Sequence, residues 1–406
     1  MINNMSSSDT SLSLPVNTIP VNYAQLSTNI FEPTANSNSD LSFRSSLSLT
    51  QNEQQASIVA KNANPNPIFS NAALFADFNG DGKADKFWRN EQTGETAVWL
   101  MDGISPIGGF LPQVDAAWNF AYADFNRDGK TDIFWRNQNN GETGIWLMDG
   151  LNIASAVNLQ TINPAWNFAI ADFNGDGRSD VFWHNTQTGE NATWLMDGTN
   201  ITTAAFLPRT DSPWNFNIVD FNGDGKNDIF WRNQITGENL IWFMDGTNRS
   251  EYALTKMEGT WDLTVGDFNG DGTTDLLWHN NQTDENTVWL MNGIFISAGS
   301  LPKLDSSWKS SVGDFNGDGK TDVFWHNETT GENTAWLMDG TSIGTEAFLP
   351  PTNSSWKASV GDVDNDGKTD IFWRDEQTGE NTIWLMNGTI ANAVPLEQVP
   401  VEWKAY

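Results

Sequence analysis

Residues 77–85 are Asp-Phe-Asn-Gly-Asp-Gly-Lys-Ala-Asp, and this segment decides the fold because it is repeated at a regular interval. Its pattern, Asp-x-Asn-x-Asp-Gly-x-x-Asp, occurs six more times at intervals of 47 or 48 residues, with Asp in place of Asn in the last copy. A fixed period of this length is typical of repeat proteins, including propellers. The seven copies begin at Asp77, Asp124, Asp172, Asp220, Asp267, Asp314 and Asp362.

Each copy offers oxygen ligands at positions 1, 3, 5, 7 and 9, and the glycine at position 6 permits a sharp turn. Hard oxygen donors in this order suit Ca²⁺, whereas Mg²⁺ retains its waters and requires a stricter octahedron. Asp, Asn and Gly are also ordinary turn residues. Seven copies that keep every ligand position favour calcium, and we expect its role to be structural.

The predicted ligands are set by the register of the pattern, with position 7 contributing its backbone carbonyl. Position 1 is the aspartate that opens each copy. Position 3 is Asn79, Asn126, Asn174, Asn222, Asn269, Asn316 and Asp364. Position 5 is Asp81, Asp128, Asp176, Asp224, Asp271, Asp318 and Asp366. Position 7 is Lys83, Lys130, Arg178, Lys226, Thr273, Lys320 and Lys368. Position 9 is Asp85, Asp132, Asp180, Asp228, Asp275, Asp322 and Asp370.

The loop is not an EF-hand, although its first residues are similar. Position 12 is Trp88, Trp135 or Trp183 in the first three copies, where an EF-hand has a bidentate glutamate. The flanking segments are rich in residues that favour strands rather than helices.

Composition divides the 406 residues into two parts. Residues 1–67 are rich in Ser, Asn, Thr and Gln, which predicts a largely disordered tail; the alternative is that Leu41–Val59 forms a short docked strand. Residues 68–406 are rich in Trp, Phe, Gly and Asp and predict one repeat domain.

Several classes of protein are excluded by composition. The chain has no cysteine, and no apolar run reaches the ~18 residues that a membrane span needs. Its net charge of −31 argues against nucleic acid as a partner, although 22 of its 52 acidic residues lie in the seven loops. The first residues lack a basic segment with an apolar run after it, so we predict no ordinary signal peptide.

The remainder of each repeat predicts four short strands separated by Gly, Asn and Asp turns. Consecutive bulky apolar residues, as in Ile133–Arg136 and Ile145–Met148, require sheets that are covered on both faces. We therefore predict an all-β, seven-bladed propeller of four-stranded blades; an open solenoid is the alternative, but no polar capping repeat is present at either end.

The 21 tryptophans form three series of seven, which begin at Trp88, Trp99 and Trp118. Asn71 occupies the position where the first repeat lacks a tryptophan of the third series, and Trp403 supplies the missing one at the other end. We expect the segment Trp403–Tyr406 to close the ring against the first blade.

The Asp77–Gly82 segment and its six counterparts resemble FG-GAP/VCBS repeats, as found in integrin α-subunit propellers and many bacterial surface proteins. The resemblance covers about residues 70–406, and the Trp-Leu-Met-Asp-Gly segments are closer to the bacterial variety. It implies a seven-bladed propeller with Ca²⁺ between the first two strands of a blade. Some calcium-bearing fungal lectins are similar too, with sugar sites between blades.

We expect the first two tryptophan series to pack blade against blade, and the third to be the best candidate for ligand binding. Its members are Trp118, Trp166, Trp214, Trp261, Trp308, Trp356 and Trp403. An Arg or His comes after each first-series tryptophan, and we expect it to pair across the hairpin with the glutamate after the turn; a sugar site is the alternative. No unique nucleophile with a base is evident, so we expect no enzyme.

Two functional hypotheses remain. The first is a lectin-like module that binds carbohydrate multivalently. The second is a protein-interaction or adhesion platform with purely structural calcium. Loops without a bidentate glutamate suit the calcium concentrations of extracellular modules, so we expect an extracellular or cell-surface location.

Overall fold

The computed structural model describes residues 76–210 and 213–406, which form seven antiparallel sheets of four strands each. First strands of neighbouring sheets contact one another, as β4 (Trp118–Ala123) contacts β8 (Trp166–Ala171), so these strands are innermost in the ring. The seven-bladed, all-β propeller is confirmed. The predicted tail (residues 1–67), the strand considered for Leu41–Val59 and the position of Asn71 lie outside the described residues.

The strands of each blade are given from the innermost to the outermost. Blade 1 combines strands from both ends of the repeat region. Blade 1 contains β28 (Trp403–Ala405), β1 (Lys86–Asn90), β2 (Thr96–Leu100) and β3 (Ile107–Leu111). Blade 2 contains β4 (Trp118–Ala123), β5 (Asp132–Asn137), β6 (Thr143–Asp149) and β7 (Asn152–Asn158). Blade 3 contains β8 (Trp166–Ala171), β9 (Asp180–Asn185), β10 (Asn191–Asp197) and β11 (Asn200–Leu207).

The other four blades repeat this order. Blade 4 contains β12 (Trp214–Val219), β13 (Asp228–Asn233), β14 (Asn239–Asp245) and β15 (Asn248–Leu254). Blade 5 contains β16 (Trp261–Gly266), β17 (Asp275–Asn280), β18 (Asn286–Asn292) and β19 (Phe295–Leu301). Blade 6 contains β20 (Trp308–Gly313), β21 (Asp322–Asn327), β22 (Asn333–Asp339) and β23 (Ser342–Leu349). Blade 7 contains β24 (Trp356–Gly361), β25 (Asp370–Asp375), β26 (Asn381–Asn387) and β27 (Ile390–Leu396).

The C-terminal strand closes the ring. β28 pairs antiparallel with β1, with Trp403 opposite Asn90 and Ala405 opposite Trp88. Trp403 is buried in the cluster between blades 7 and 1, which also contains Phe372 and Val399. The first blade is thus built from both ends of the repeat region, as the position of Trp403 predicted.

Burial falls from the second strand of a blade to its edge. Every residue of the second strands is buried, as in Asp132–Asn137, because each blade is covered by a neighbour on both faces. The outermost strands consist mainly of exposed and half-buried residues, which alternate in Asn152–Asn158. The continuous apolar runs in the sequence belong to the second and third strands, and the less regular segments are the outermost strands.

Candidate functional site

The seven predicted metal loops lie at one end of the ring, which we call the loop end. In blades 2 to 7 each loop joins the innermost strand to the second strand, as residues 124–131 join β4 to β5, and in blade 1 the loop leads directly into the second strand, β1. The opposite end, which we call the turn end, holds the turns between second and third strands, such as residues 91–95. In blades 2 to 7 the loops thus lie between the first two strands, where the family resemblance implies Ca²⁺, and binding of the ion there stays a prediction.

In each loop, side-chain oxygens accept hydrogen bonds from backbone N–H groups of the same loop. In blade 1, Oδ1 and Oδ2 of Asp77 accept hydrogen bonds from the backbone N–H groups of Gly80 (2.7 Å) and Gly82 (2.8 Å). Oδ1 of Asp81 accepts from the N–H of Lys83 at 2.9 Å. Gly82 has a φ of 83°, a left-handed conformation that glycine adopts without strain. The backbone thus holds the carboxylates in place.

The aspartate at position 9 is the buried anchor of the loop. Oδ2 of Asp85 accepts from the N–H of Phe78 and Oδ1 from the N–H of Met101, both at 2.8 Å. Burial raises the pKa of Asp85 to about 7, and those two hydrogen bonds oppose the rise only in part. The same environment raises the pKa of Asp228 and Asp275 to about 8. A nearby cation would lower these values by favouring the ionised form.

In the seventh loop, the side-chain oxygens at three of the predicted ligand positions lie close together. Oxygen atoms of Asp362, Asp364 and Asp370, at positions 1, 3 and 9, all lie within 4.8 Å of one another. The other six loops have an asparagine amide at position 3. A convergent set of hard oxygen donors fits Ca²⁺, and the residues that would hold it are those of positions 1, 3, 5, 7 and 9.

Hydrogen bonds join the seven loops into a continuous ring. The backbone N–H at position 8 of each loop donates to the position 1 carbonyl of the preceding blade, as Thr131 donates to Asp77 at 2.6 Å. A glycine in the turn between the third and fourth strands donates to the position 2 carbonyl of the preceding blade, as Gly150 donates to Phe78 at 2.8 Å. Both bonds occur at all seven blade junctions.

The cation at loop position 7 has a partner outside the loop in five blades. Lys83, for example, pairs with Asp102 in the turn after β2, at 2.5 Å. The other four pairs are Lys130–Asp149, Arg178–Asp197, Lys226–Asp245 and Lys320–Asp339. In blade 7 the turn residue is Asn387, and Lys368 instead binds the loop carboxylate of Asp366 at 2.7 Å. Blade 5 has Thr273 and Asn292 at these two positions, so it lacks both charges.

The first two tryptophan series are packing residues, as expected. Trp88 and Trp99 are buried, and their rings meet edge to face with centroids 4.7 Å apart. The same pair recurs in all seven blades at centroid distances of up to 5.4 Å.

The third tryptophan series lies at the turn end, where it begins each innermost strand. Trp118, Trp308 and Trp403 are buried, whereas Trp166, Trp214, Trp261 and Trp356 are half-buried. One innermost strand separates each of these tryptophans from a metal loop, a distance of roughly 20 Å at ~3.3 Å per residue. The structure therefore does not bring the predicted metal ligands and the predicted ligand-binding tryptophans together.

The expected pairing of Arg or His with the hairpin glutamate is wrong. Arg374 instead donates to the carbonyls of Pro400 (2.9 Å) and Trp403 (2.7 Å), and its guanidinium lies 4.9 Å from the ring centroid of Trp88 in blade 1. His184 bonds Asn191 at 2.8 Å and lies against Trp231 of the next blade. Each of the seven Arg or His residues contacts the first-series tryptophan of the next blade. They join blades, so they are not available for a sugar.

Lys86 breaks the sevenfold pattern, and sequence reasoning missed it. Lys86 directly follows position 9 of the first loop and begins β1. The other six repeats have an aliphatic residue at this position: Ile133, Val181, Ile229, Leu276, Val323 and Ile371. The side chain of Lys86 is buried, its amine donates to Oγ of Ser359 at 2.7 Å, and burial lowers the pKa of that amine well below its usual value. Aligning the seven repeats on position 9 would have found it.

Comparisons with known proteins agree with the architecture. A lectin from Agrocybe aegerita, described as recognising non-reducing terminal N-acetylglucosamine, has a similar fold; it is 14% identical, with a TM-score of 0.67, over 80% of this chain and 95% of the lectin. A Lactobacillus plantarum protein is 13% identical, with a TM-score of 0.50, over 79% of this chain and 99% of its own.

Enzymes share the fold as well. Prolyl oligopeptidase B from Galerina marginata is 12% identical, with a TM-score of 0.51, over 81% of this chain and 51% of that enzyme. No curated protein sequence matches the chain. None of the described residues forms a helix with the length and apolar character that a membrane crossing needs.

The family model for the FG-GAP-like repeat matches the chain five times, over residues 77–135, 124–183, 172–231, 220–278 and 314–373. These matches span more than half of the sequence, and each runs from one metal loop to the second strand of the next blade. The protein is therefore a member of the FG-GAP-like repeat family, with its repeats arranged as a seven-bladed β-propeller.

Proposed function

We propose that this protein is a non-enzymatic, calcium-stabilised binding module that recognises carbohydrate at the turn end of the propeller. The supporting observation is the partial exposure of one tryptophan series at a single end of the ring: Trp166, Trp214, Trp261 and Trp356. An indole offers a flat apolar face and one N–H donor, which suits the apolar face and the hydroxyls of a sugar ring. Its fold is also that of a protein described as a lectin.

Calcium in this proposal acts at a distance. The loops are roughly 20 Å from the tryptophans, so a bound ion would not touch the sugar. Each loop is hydrogen-bonded to its neighbour, and Ca²⁺ would stabilise the ring that positions the turn end. Several weak sites on one ring would gain affinity for a polysaccharide through avidity. An extracellular or surface location would supply both calcium and glycans.

A glycan array, probed with the full chain in excess Ca²⁺ and again after EDTA, tests the proposal. We expect binding to a coherent class of sugars, and circular dichroism would show whether loss of binding after EDTA accompanies loss of structure. If the folded, calcium-loaded protein binds no glycan, the proposal fails. The alternative is then a protein-interaction or adhesion platform, to be tested by saturable binding to one protein partner.

A further inference from the structure

Three blades have an exposed phenylalanine at one position near the turn end of the outermost strand, where the other four blades have a smaller residue. Phe110, Phe206 and Phe348 are 49%, 57% and 73% exposed. They occupy the same register, because they pair with Ala97, Ala192 and Thr334 on the third strand. The corresponding residues of blades 2, 4, 5 and 7 are Asn158, Ala253, Ser300 and Pro395.

Each phenylalanine shares a blade face with a third-series tryptophan. Rings of Phe110 and Trp403 lie 5.9 Å apart between centroids at 51°, and those of Phe206 and Trp166 lie 6.4 Å apart at 48°. Cross-strand partners project to the same face of a sheet, so the pairing register puts Phe348 and Trp308 on one face of blade 6. In blades 1 and 3 the third-strand partner of the phenylalanine is alanine, and the buried Trp88 and Trp183 lie next to that alanine on the second strand.

A glutamate lies on the same face, two residues before the third-strand partner of each phenylalanine. Glu95, Glu190 and Glu332 each accept a hydrogen bond from a threonine hydroxyl of the turn, at 2.8, 2.9 and 2.9 Å. The threonine orients one carboxylate oxygen, and the remaining lone pairs of Glu95 and Glu332 can accept hydrogen bonds from hydroxyls. In Glu190 the other oxygen also accepts from the guanidinium of Arg209 at 2.6 Å, which leaves it fewer lone pairs for a ligand. A carboxylate repels anionic sugars, and the net charge of −31 strengthens that selection.

We propose that blades 1, 3 and 6 hold the glycan, each through an aromatic pair and its glutamate, and that the ligand class is the neutral pyranose. This deepens the carbohydrate function proposed above and rests on it. In blade 3 the exposed Phe206 and the half-buried Trp166 both offer a ring to a sugar, whereas in blades 1 and 6 the exposed Phe110 and Phe348 offer the ring, because Trp403 and Trp308 are buried. The half-buried tryptophans of blades 4, 5 and 7 have no phenylalanine at this register. The three sites are separated around the ring by one, two and one intervening blades, so one protein can bridge three glycan ends.

The experiment compares two triple variants of the full calcium-loaded chain. Phe110→Ala/Phe206→Ala/Phe348→Ala removes the three rings. Its control is Ile107→Ala/Phe295→Ala/Ile390→Ala, which removes three exposed apolar side chains from the loop-end start of outermost strands. All six side chains are exposed, so both variants should fold, and circular dichroism and melting temperature verify this. The probes are methyl β-N-acetylglucosaminide, neutral glycans found on the array, and a polyuronate.

For wild type, isothermal titration should give about three sites per chain for the neutral probe, with no binding of the polyuronate. The phenylalanine triple should bind about tenfold more weakly, and the control should bind like wild type. Seven equivalent sites, or an unchanged phenylalanine triple, would overturn the three-blade assignment while leaving carbohydrate binding intact. Absence of all glycan binding by folded wild type would overturn the proposed function itself, and saturable capture of a protein instead would have the same meaning.

Discussion

Lys368 is paired at 2.7 Å with its own loop carboxylate, Asp366, because Asn387 stands where five other blades have an aspartate. Lys83 and Arg178 also lie near their own loop carboxylates, at 4.0 and 3.6 Å, but each has a shorter ion pair with a turn aspartate. The turn aspartate in those blades draws the position 7 cation away from the predicted ion. Lys368 would therefore compete with a bound Ca²⁺ for Asp366. A charge difference one strand away thus distinguishes loops that look alike in sequence.

Restoring the aspartate should improve the seventh loop. In Asn387→Asp, we expect Lys368 to pair with the new carboxylate, as Lys320 pairs with Asp339 at 2.7 Å. We expect the calcium concentration that gives half of the maximal rise in melting temperature to fall about two- to fivefold. Melting temperature measured across a calcium series checks this. Asn292→Asp is the control, since blade 5 has Thr273 and no cation to redirect; an equal shift in both variants would point to added negative charge alone.

The position 9 aspartates predict how metal-free protein responds to pH. Their folded pKa is raised, to about 7 for Asp85 and about 8 for Asp228, above the ordinary value of 3.8. The folded state therefore holds protons that the unfolded state releases, and this stabilisation is complete below pH ~4 and is lost as pH rises through 7 to 8.

We expect the melting temperature of EDTA-treated protein to fall between pH 5 and pH 8, and Ca²⁺ to restore it far more at pH 8 than at pH 5. Differential scanning calorimetry at fixed ionic strength measures both effects. A metal-free melting temperature that rises over this range would contradict the environment described for Asp85 and its counterparts.

At the scale of elements, the junction between blades depends on the Arg or His near the end of each second strand. The three histidines face Asn191, Asn286 and Asn333, whereas Arg136 faces Thr143. The hydroxyl of Thr143 donates a hydrogen bond to the backbone carbonyl of Gln160, and the amide nitrogen of Asn191 donates to that of Pro208. Both carbonyls lie in the connection to the next blade. Asn additionally supplies the oxygen that histidine needs.

Arg136→His should therefore destabilise the protein by about 1–3 kcal/mol, because it removes the bond to Asn163 and leaves the new imidazole without its amide partner. Adding Thr143→Asn should recover part of that loss by recreating the pair that His184 forms with Asn191. Denaturant unfolding of both single variants and the double variant gives the coupling energy. Additive effects would mean that the His–Asn contact contributes nothing to the junction.

Ring closure is a second property of elements. Deleting residues 403–406 removes β28 and exposes the inner edge of β1, together with the cavity that buried Trp403 fills. Loss of the tryptophan alone is expected to cost about 3–5 kcal/mol. We expect a markedly lower melting temperature; deletion of an equal number of residues from the N-terminus is the control, and a melting temperature equal to wild type would refute closure by this strand.

At the scale of the whole molecule, the seven loops form a hydrogen-bonded ring. At all seven junctions one hydrogen bond connects each loop with the next, and a second connects the turn after the third strand with the loop of the preceding blade, so order that a bound Ca²⁺ gave to one loop would pass to its neighbours. Calcium release and unfolding should therefore occur as one transition rather than loop by loop.

Asp271→Ala removes one exposed candidate ligand, at position 5 of the fifth loop. We expect the number of bound Ca²⁺ ions to fall by about one and the single calcium-dependent melting transition to shift to lower temperature without splitting. Equilibrium dialysis counts the ions and calorimetry monitors the transition; Asp262→Asn, outside the loops, is the control. A separate transition for the altered blade would show that the loops act independently.

Much of this structure is determined by local pattern. Blade number, four strands per blade, the site of the loops and the burial of Trp88 and Trp99 could be predicted, because each depends on residues that are close in the chain and repeated seven times. Ring closure could be predicted for the same reason, because Trp403 supplies the third-series tryptophan that the first repeat lacks. The ligand positions of the loops stay predictions, supported by the convergence of Asp362, Asp364 and Asp370.

The contacts between blades were decided by the tertiary structure. The partners of Arg374, the pairing of Lys368 with Asp366, the burial of Lys86 and the ring of loop hydrogen bonds all involve either the neighbouring blade or a choice between nearby carboxylates. A repeat specifies the fold of its own blade, but its sequence does not state which side chains meet when two blades pack, since that depends on their relative orientation.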